Sequence, residues 1–185
     1  MKKFLKWTLV VVVSLVALLF ITFMYLNSQS RKKSPESTAI YDKAGTKITV
    51  AYSSPGRRDR EIFGALVPYG AVWRTGANEA TTFETNKDLT IDGKPLPAGK
   101  YTLWTIPEKD NWTVIWNKKQ YPWGIKGPFD RSASREPMED ALQTVVPVEV
   151  LPEPLEHFTI SFTDANEGIA MALAWDKVKV VVPIK

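Results

Sequence analysis

Leu89 to Asn117 reads LTIDGKPLPAGKYTLWTIPEKDNWTVIWN. Within it Leu89–Ile91, Tyr101–Ile106 and Trp112–Asn117 repeat with period two, as strand side chains do. Asp92-Gly93, Pro97-Ala98-Gly99 and Lys109-Asp110-Asn111 provide the turn chemistry between them. In Tyr101–Ile106, Thr102, Trp104 and Ile106 oppose Tyr101, Leu103 and Thr105, so both faces carry large apolar groups. Such a strand is central and covered on both sides. Trp112, Val114 and Trp116 form a second stripe, and aromatic stripes at strand spacing read as core.

The same alternation extends in both directions. Ile48, Val50 and Tyr52 alternate with Lys47, Thr49 and Ala51, and similar patterns occupy Ala80–Thr85, Val145–Val150, Phe158–Phe162, Ile169–Trp175 and Val178–Ile184. Ala170, Ala172 and Ala174 leave room for a close neighbour opposite Ile169, Met171, Leu173 and Trp175. Short strands every 8 to 12 residues or so imply a β-sandwich or barrel. Apart from the N-terminus, the one helix expected is a short one at Asp59–Leu66, with Asp59 as its cap. The fold class expected is therefore mainly β: an antiparallel sandwich or barrel-like domain with one short helix, behind an N-terminal transmembrane helix.

Residues 1–6 are a short basic tail, and Trp7–Leu26, WTLVVVVSLVALLFITFMYL, carries no charge. Twenty residues of helix span about 30 Å of hydrocarbon. A cleaved signal has a shorter apolar core and a small-residue cleavage site, so residues 7–26 read as an uncleaved signal anchor with the lipid bilayer as partner. A polar linker, residues 27–38, leads to a β domain over 39–185. Lys2, Lys3 and Lys6 are opposed by Arg31, Lys32 and Lys33. The short N-terminal tail places the C-terminal domain in the periplasm or otherwise outside the cytoplasm.

The pI of 9.2 does not indicate nucleic acid. Six basic residues and no acid lie in the first 34 residues, leaving 18 basic against 20 acidic beyond them. A nucleic-acid footprint needs a basic folded surface. There is no cysteine and one histidine, which removes disulfides, thiol catalysis and zinc sites drawing on both. No metal or cofactor is expected. His157 reads as a strand residue, with no G-x-S-x-G elbow to supply a serine. Asp164 to Gly168 reads as a hairpin turn, and Glu139, Asp140, Glu153 and Glu156 as surface acids.

Chemistry concentrates in Ser54–Thr82, SPGRRDREIFGALVPYGAVWRTGANEATT. Gly56, Gly70 and Gly76 suggest positive φ or close backbone approach, and Pro55 and Pro68 stiffen the same stretch. Arg74 and Glu79 flank Thr75-Gly76-Ala77. Two readings are open: the pair braces the turn, or Arg74 grips a carboxylate or phosphate. The candidate ligand-binding residues are Arg74, Asn78, Glu79, Arg57, Tyr69 and Trp73, joined by Trp123 from the aperiodic loop Gln120–Pro137. The ligand expected is a small anion, a glycan or a peptide.

FGALVPYGAVWRTGANEAT, IDGKPLPAGKYTLWTIP, WTVIWNK, FTISF and LAWDKVKVVVPI together resemble the DUF2911 family of bacterial exported proteins. The resemblance spans Ala39 to Lys185. It implies an extracytoplasmic, mainly β domain and brings no activity and no catalytic residue. No pattern in the residues fixes a reaction. The favoured reading is a membrane-anchored binding or interaction module. The alternatives are a carboxylate-dependent hydrolase using Glu79 and a second acid, and a purely structural envelope protein.

Overall fold

The computed structural model describes residues 2–185, which divide into two units, residues 2–33 and residues 34–185. In the first, helix α1 runs over Lys2–Lys33. It is long and apolar enough to cross a membrane. Thr8 and Thr22 return their hydroxyls to the carbonyls of Phe4 (3.0 Å) and Leu18 (2.8 Å), as hydroxyls do inside apolar helices. The helix outruns Leu26 and takes up most of the expected linker. Nothing in Asn27–Lys33 breaks it until Ser34, which precedes a proline and is biased away from helix. Only Ser34 and Pro35 separate α1 from the first strand.

The second unit is built from β1 (Glu36–Lys43), β2 (Thr46–Ser53), β3 (Thr82–Thr85), β4 (Leu89–Ile91), β5 (Lys94–Leu96), β6 (Gly99–Pro107), β7 (Asn111–Asn117), β8 (Asp140–Ala165) and β9 (Gly168–Ile184). They form one antiparallel sheet in the order β1-β2-β3-β6-β7-β8-β9-β4-β5. Val145–Val150 and Phe158–Phe162 are not separate strands but parts of the 26-residue β8. Its first part pairs with β7, from Asn117↔Asp140 to Asn111↔Pro147, and the remainder pairs with β9. The register slips between Val150 and Leu155 and again before Thr159. Pro152 and Pro154 lie in that interval and have no N–H for a ladder. Bent there, β8 carries the sheet from one side of the core to the other.

Closure comes from the chain just after β2. Phe158 N donates to Pro55 O (3.0 Å), Arg57 N to Glu156 O (2.6 Å), and Ile160 N to the Tyr52 hydroxyl (3.0 Å). The sheet thus folds back on itself around one core. Ile48, Val50, Phe83, Leu103, Val114, Met171, Leu173 and Val182 fill it, with Trp112, Trp116 and Trp175. The buried indole N–H groups of Trp104, Trp112 and Trp116 have no acceptor among the described residues. These rings contribute apolar area rather than polar recognition.

Asp59–Leu66 is a series of turns, not a helix. Arg58 and Asp59 sit at φ 50° and 55°, whereas a helix cap needs extended backbone. Arg60 fixes the turn by donating to Arg57 O (3.0 Å) and Gly56 O (2.7 Å), while Ile62, Phe63 and Val67 turn into the core. The short helical element is instead a 3-10 turn at Pro137–Glu139.

Candidate functional site

β6 is indeed covered on both faces. Leu103 and Tyr101 face the core, while Trp104 is buried outside it, with Tyr121 edge-on at 5.2 Å. Two loops make that outer cover.

The first is Trp73–Thr81. Trp73 pairs with Thr105 in both directions (2.7 and 3.0 Å), and Leu103 N donates to Thr81 O (2.8 Å). The chain between these bridges therefore bulges from a strand position on β6 and returns to it. Its polar groups are satisfied within the fold. Thr75 and Thr105 share a hydroxyl contact of 3.1 Å, Thr81 Oγ1 donates to Thr75 O (2.7 Å), and Trp73 Nε1 to Gly76 O (3.0 Å). Gly76 is required by proximity, because a Cβ there would lie 2.9 Å from Ser53 O.

The second loop, Gln120–Pro137, is a small finger rather than an aperiodic coil. Ile125 pairs with Ala133, Lys126 N donates to Ser132 O (3.1 Å), and Gly127 N to Asp130 O (3.0 Å). Gly127-Pro128-Phe129-Asp130 is its tip. At the base, Gly124 (φ 69°) is seated so closely that a Cβ would meet Arg74 Cβ, Ala80 Cβ and Trp104 Cη2 at 3.1 to 3.2 Å. Arg74 Nη1 donates to Trp123 O (2.9 Å).

The candidate residues therefore separate. Arg74 and Trp123 meet, through the Trp123 carbonyl, and the Trp123 side chain stays about half exposed (46 %). Glu79 accepts from Ser53 Oγ (3.4 Å), and Asn78 Nδ2 donates to Ser34 O (3.2 Å). Trp73 belongs to the core, stacked on Trp175 at 6.0 Å and edge-on to Phe158 at 5.0 Å. Tyr69 lies over Gly64, where a Cβ would stand 2.8 Å from its ring. Arg57 is elsewhere, 3.6 Å from both Asp59 and Asp176. His157 is an exposed β8 residue bridged to Gly56.

Between Ala71-Val72, just before the first loop, and the second loop is a cleft of about 290 Å³ lined by Ala71, Val72, Ser132, Ala133, Arg135 and Pro137. In sequence, Arg74 lies two residues beyond the lining residue Val72, after the core residue Trp73, and Arg131 immediately precedes the lining residue Ser132. Burial pushes the Arg74 guanidinium below its usual range, the Arg131 charge pushes it the same way, and Glu79 opposes both. Arg74 and Arg131 thus act on each other as like charges, and the cleft itself is mainly apolar.

A buried polar network that the residue pattern did not single out supports the finger from below. Arg135 grips Asp140 with two nitrogens, Nε at 3.1 Å from Oδ1 and Nη2 on Oδ2. Their side chains are only 12 % and 11 % exposed. Asn117, at the β7 bulge, donates to Asp140 Oδ1 (2.8 Å) and Glu136 O (2.9 Å), and Glu136 N donates to the Tyr121 hydroxyl (2.9 Å). Asp140 is therefore no surface acid. Among the described residues no three His, Asp or Glu side chains gather as a metal site would require.

A family model described as a protein of unknown function, DUF2911, matches residues 34–184. The chain belongs to the DUF2911 family. No curated protein and no solved structure matches it. The DUF2911 match covers the β unit from its first residue, Ser34, through both loops to the penultimate residue.

Proposed function

We propose that this DUF2911 protein is a binding module held at a membrane by α1, with the β unit outside the cytoplasm. The cleft beside the finger takes a small ligand with an apolar body and a carboxylate or phosphate end. The observation that carries this reading is a mainly apolar cleft between Ala71-Val72 and the segment Ser132–Pro137, with Arg131 next in the chain to its Ser132 and close enough to Arg74 for the two like charges to act on each other. Repulsion between guanidinium groups in a partly desolvated place is relieved by a bound anion. Arg74 gives one donor to Trp123 O, and a guanidinium carries five. Ala71, Val72, Ala133 and Pro137 offer the apolar body a surface without hydrogen bonds, as small-molecule sites commonly do.

The test is ligand-observed NMR on a panel of aryl and alkyl carboxylates and phosphates beside their neutral amide or alcohol counterparts. Anions are expected to bind, Arg131→Met to weaken them about tenfold, and Ala133→Trp to abolish binding by filling the cleft. Equal signals from neutral counterparts, or binding indifferent to both substitutions, would sink the reading.

A further inference from the structure

We infer that Arg135 is the residue that reads the ligand's acidic end, and that this end is a single carboxylate rather than a phosphate. The inference rests on the proposed cleft and names the chemistry the cleft selects.

Of the residues lining the cleft, only Ser132 and Arg135 have polar side chains. Ser132 turns its hydroxyl and its N–H to Asp130 and holds that carboxyl below its usual range. Arg135 is left as the polar group of the cleft. Asp140 occupies one edge of its guanidinium, accepting from Nε and Nη2. Nη1 has no acceptor among the described residues, yet the nitrogens that are both unpartnered and sealed from solvent there are the indoles of Trp104, Trp112 and Trp116. Nη1 is therefore reached by solvent. Because Arg135 lines the cleft and turns its other edge to Asp140, it is into the cleft that Nη1 opens.

The grip is set before a ligand arrives. Asp140 Oδ1 also accepts from Asn117 Nδ2 (2.8 Å), and Glu136, next in the chain to Arg135, donates its N–H to the Tyr121 hydroxyl (2.9 Å). With the Arg135 side chain only 12 % exposed, little rotamer freedom remains to be lost on binding. Its open edge, Nη1 with the second N–H of Nη2, matches the two oxygens of a carboxylate.

Charge decides between carboxylate and phosphate. Lys119 pairs with Glu136, and Lys126 acts on Asp130 as its opposite charge. Arg74, Arg131 and Arg135 then face two carboxylates, Glu79 acting on Arg74 and Asp140 gripped by Arg135. One guanidinium charge is in excess, and one carboxylate balances it. A phosphate monoester carries nearly two negative charges at neutral pH. Its second charge would meet Asp140 across the same guanidinium, where like charges oppose each other.

The test titrates phenylacetate, phenyl phosphate and phenylacetamide into full-length protein in lipid nanodiscs, above the second phosphate pKa of about 6. Arginine is isotope-labelled at nitrogen, and the Arg135 signals are assigned by their absence from Arg135→Lys. Phenylacetate should bind about tenfold tighter than either competitor, shifting the Arg135 Nη1 signal and leaving its Nε signal in place. Arg135→Lys keeps a cation for Asp140 but has no fork, and should weaken phenylacetate about tenfold. Asp140→Asn keeps an acceptor for Arg135 without the charge, and should narrow the preference for phenylacetate over phenyl phosphate. A merely structural pair would not move that ratio. Phenyl phosphate binding as tightly as phenylacetate, or an Arg135 signal that stays put while phenylacetate binds, overturns this inference and leaves the cleft reading standing. Failure of both anions to bind overturns the two together. The wild-type Arg135 signal decides the matter even where a variant fails to fold.

Discussion

Arg74 holds Trp123 by its main chain and not by its ring: Nη1 donates to the Trp123 carbonyl at 2.9 Å, and the next residue, Gly124, rests on Arg74 Cβ. One side chain thus sets where the whole finger is rooted. Arg74→Met keeps the stem against Gly124 but removes the donor, and a lost bond from a charged donor is worth about 1.5–3 kcal/mol. Hydrogen exchange should show amides 124–134 losing protection while β6 and β7 keep theirs. Gly124→Ala should do the same, since it combines a left-handed φ with three contacts near 3.1 Å. Uniform loss of protection across β6 and β7 in either variant would mean that the finger is no separate unit.

Gly168 and Gly93 separate two reasons for glycine. Both have positive φ, 126° and 70°, but a Cβ on Gly168 would stand 2.3 Å from Ile184 O, whereas nothing lies within 4 Å of one on Gly93. Gly93→Ala should lose only the left-handed penalty, about 1–2 kcal/mol. Gly168→Ala adds a clash that the β8–β9 ladder has to absorb, and roughly 2–5 kcal/mol is expected. Chemical denaturation of the two variants checks the order. Equal losses would mean that the carbonyl of Ile184 moves aside freely.

The strands were legible because burial imposes period two wherever one face meets a core, and the double-sided apolarity of Tyr101–Ile106 disclosed the outer layer over Trp104. Strand lengths were less so: Pro152 and Pro154 break the alternation in β8 while the chain continues in extended form. The helix at Asp59–Leu66 was misread because Asp59 has the chemistry of a cap, whereas its backbone is left-handed (φ 55°) in a turn that Arg60 closes by donating to Arg57 O and Gly56 O. Site residues fared unevenly for a related reason. Arg74 and Trp123 are 49 positions apart and meet through a carbonyl, which carries no side-chain signal. Arg131 and Arg135 lie in a segment without periodicity, and its hairpin nature rests on the Ile125–Ala133 pairing around Gly127-Pro128.

Arg135 and Asp140 are a largely buried pair, and removing both should cost less than the sum of removing each. Arg135→Met leaves the Asp140 carboxylate to Asn117 alone in a site about 11 % exposed, and stranding one member of such a pair costs about 3–5 kcal/mol. Arg135→Met combined with Asp140→Leu removes both charges. The double variant should recover most of that loss, giving a coupling of at least about 2 kcal/mol in a double-mutant cycle. Additive losses would show the bidentate contact to be weak in solution.

Asp164 ties the edge strand β1 to the end of β8, accepting from Lys43 Nζ at 2.5 Å and the Tyr41 hydroxyl at 3.1 Å. The Lys43 bond first, then the Tyr41 bond, holds its carboxyl below the usual value. A carboxyl depressed in the folded state stabilises fully above its unfolded pKa, about 3.9, and the contribution is lost as pH falls through the lower folded value. Both groups are largely exposed, so the effect is local and salt-screened rather than a global acid transition. Below about pH 4, amides at the end of β1 should begin to exchange faster while β6 and β7 remain protected, and added salt should shrink the difference. Asp164→Asn should abolish the pH step without abolishing the fold. If the step persists in Asp164→Asn, another carboxylate controls the β1 edge.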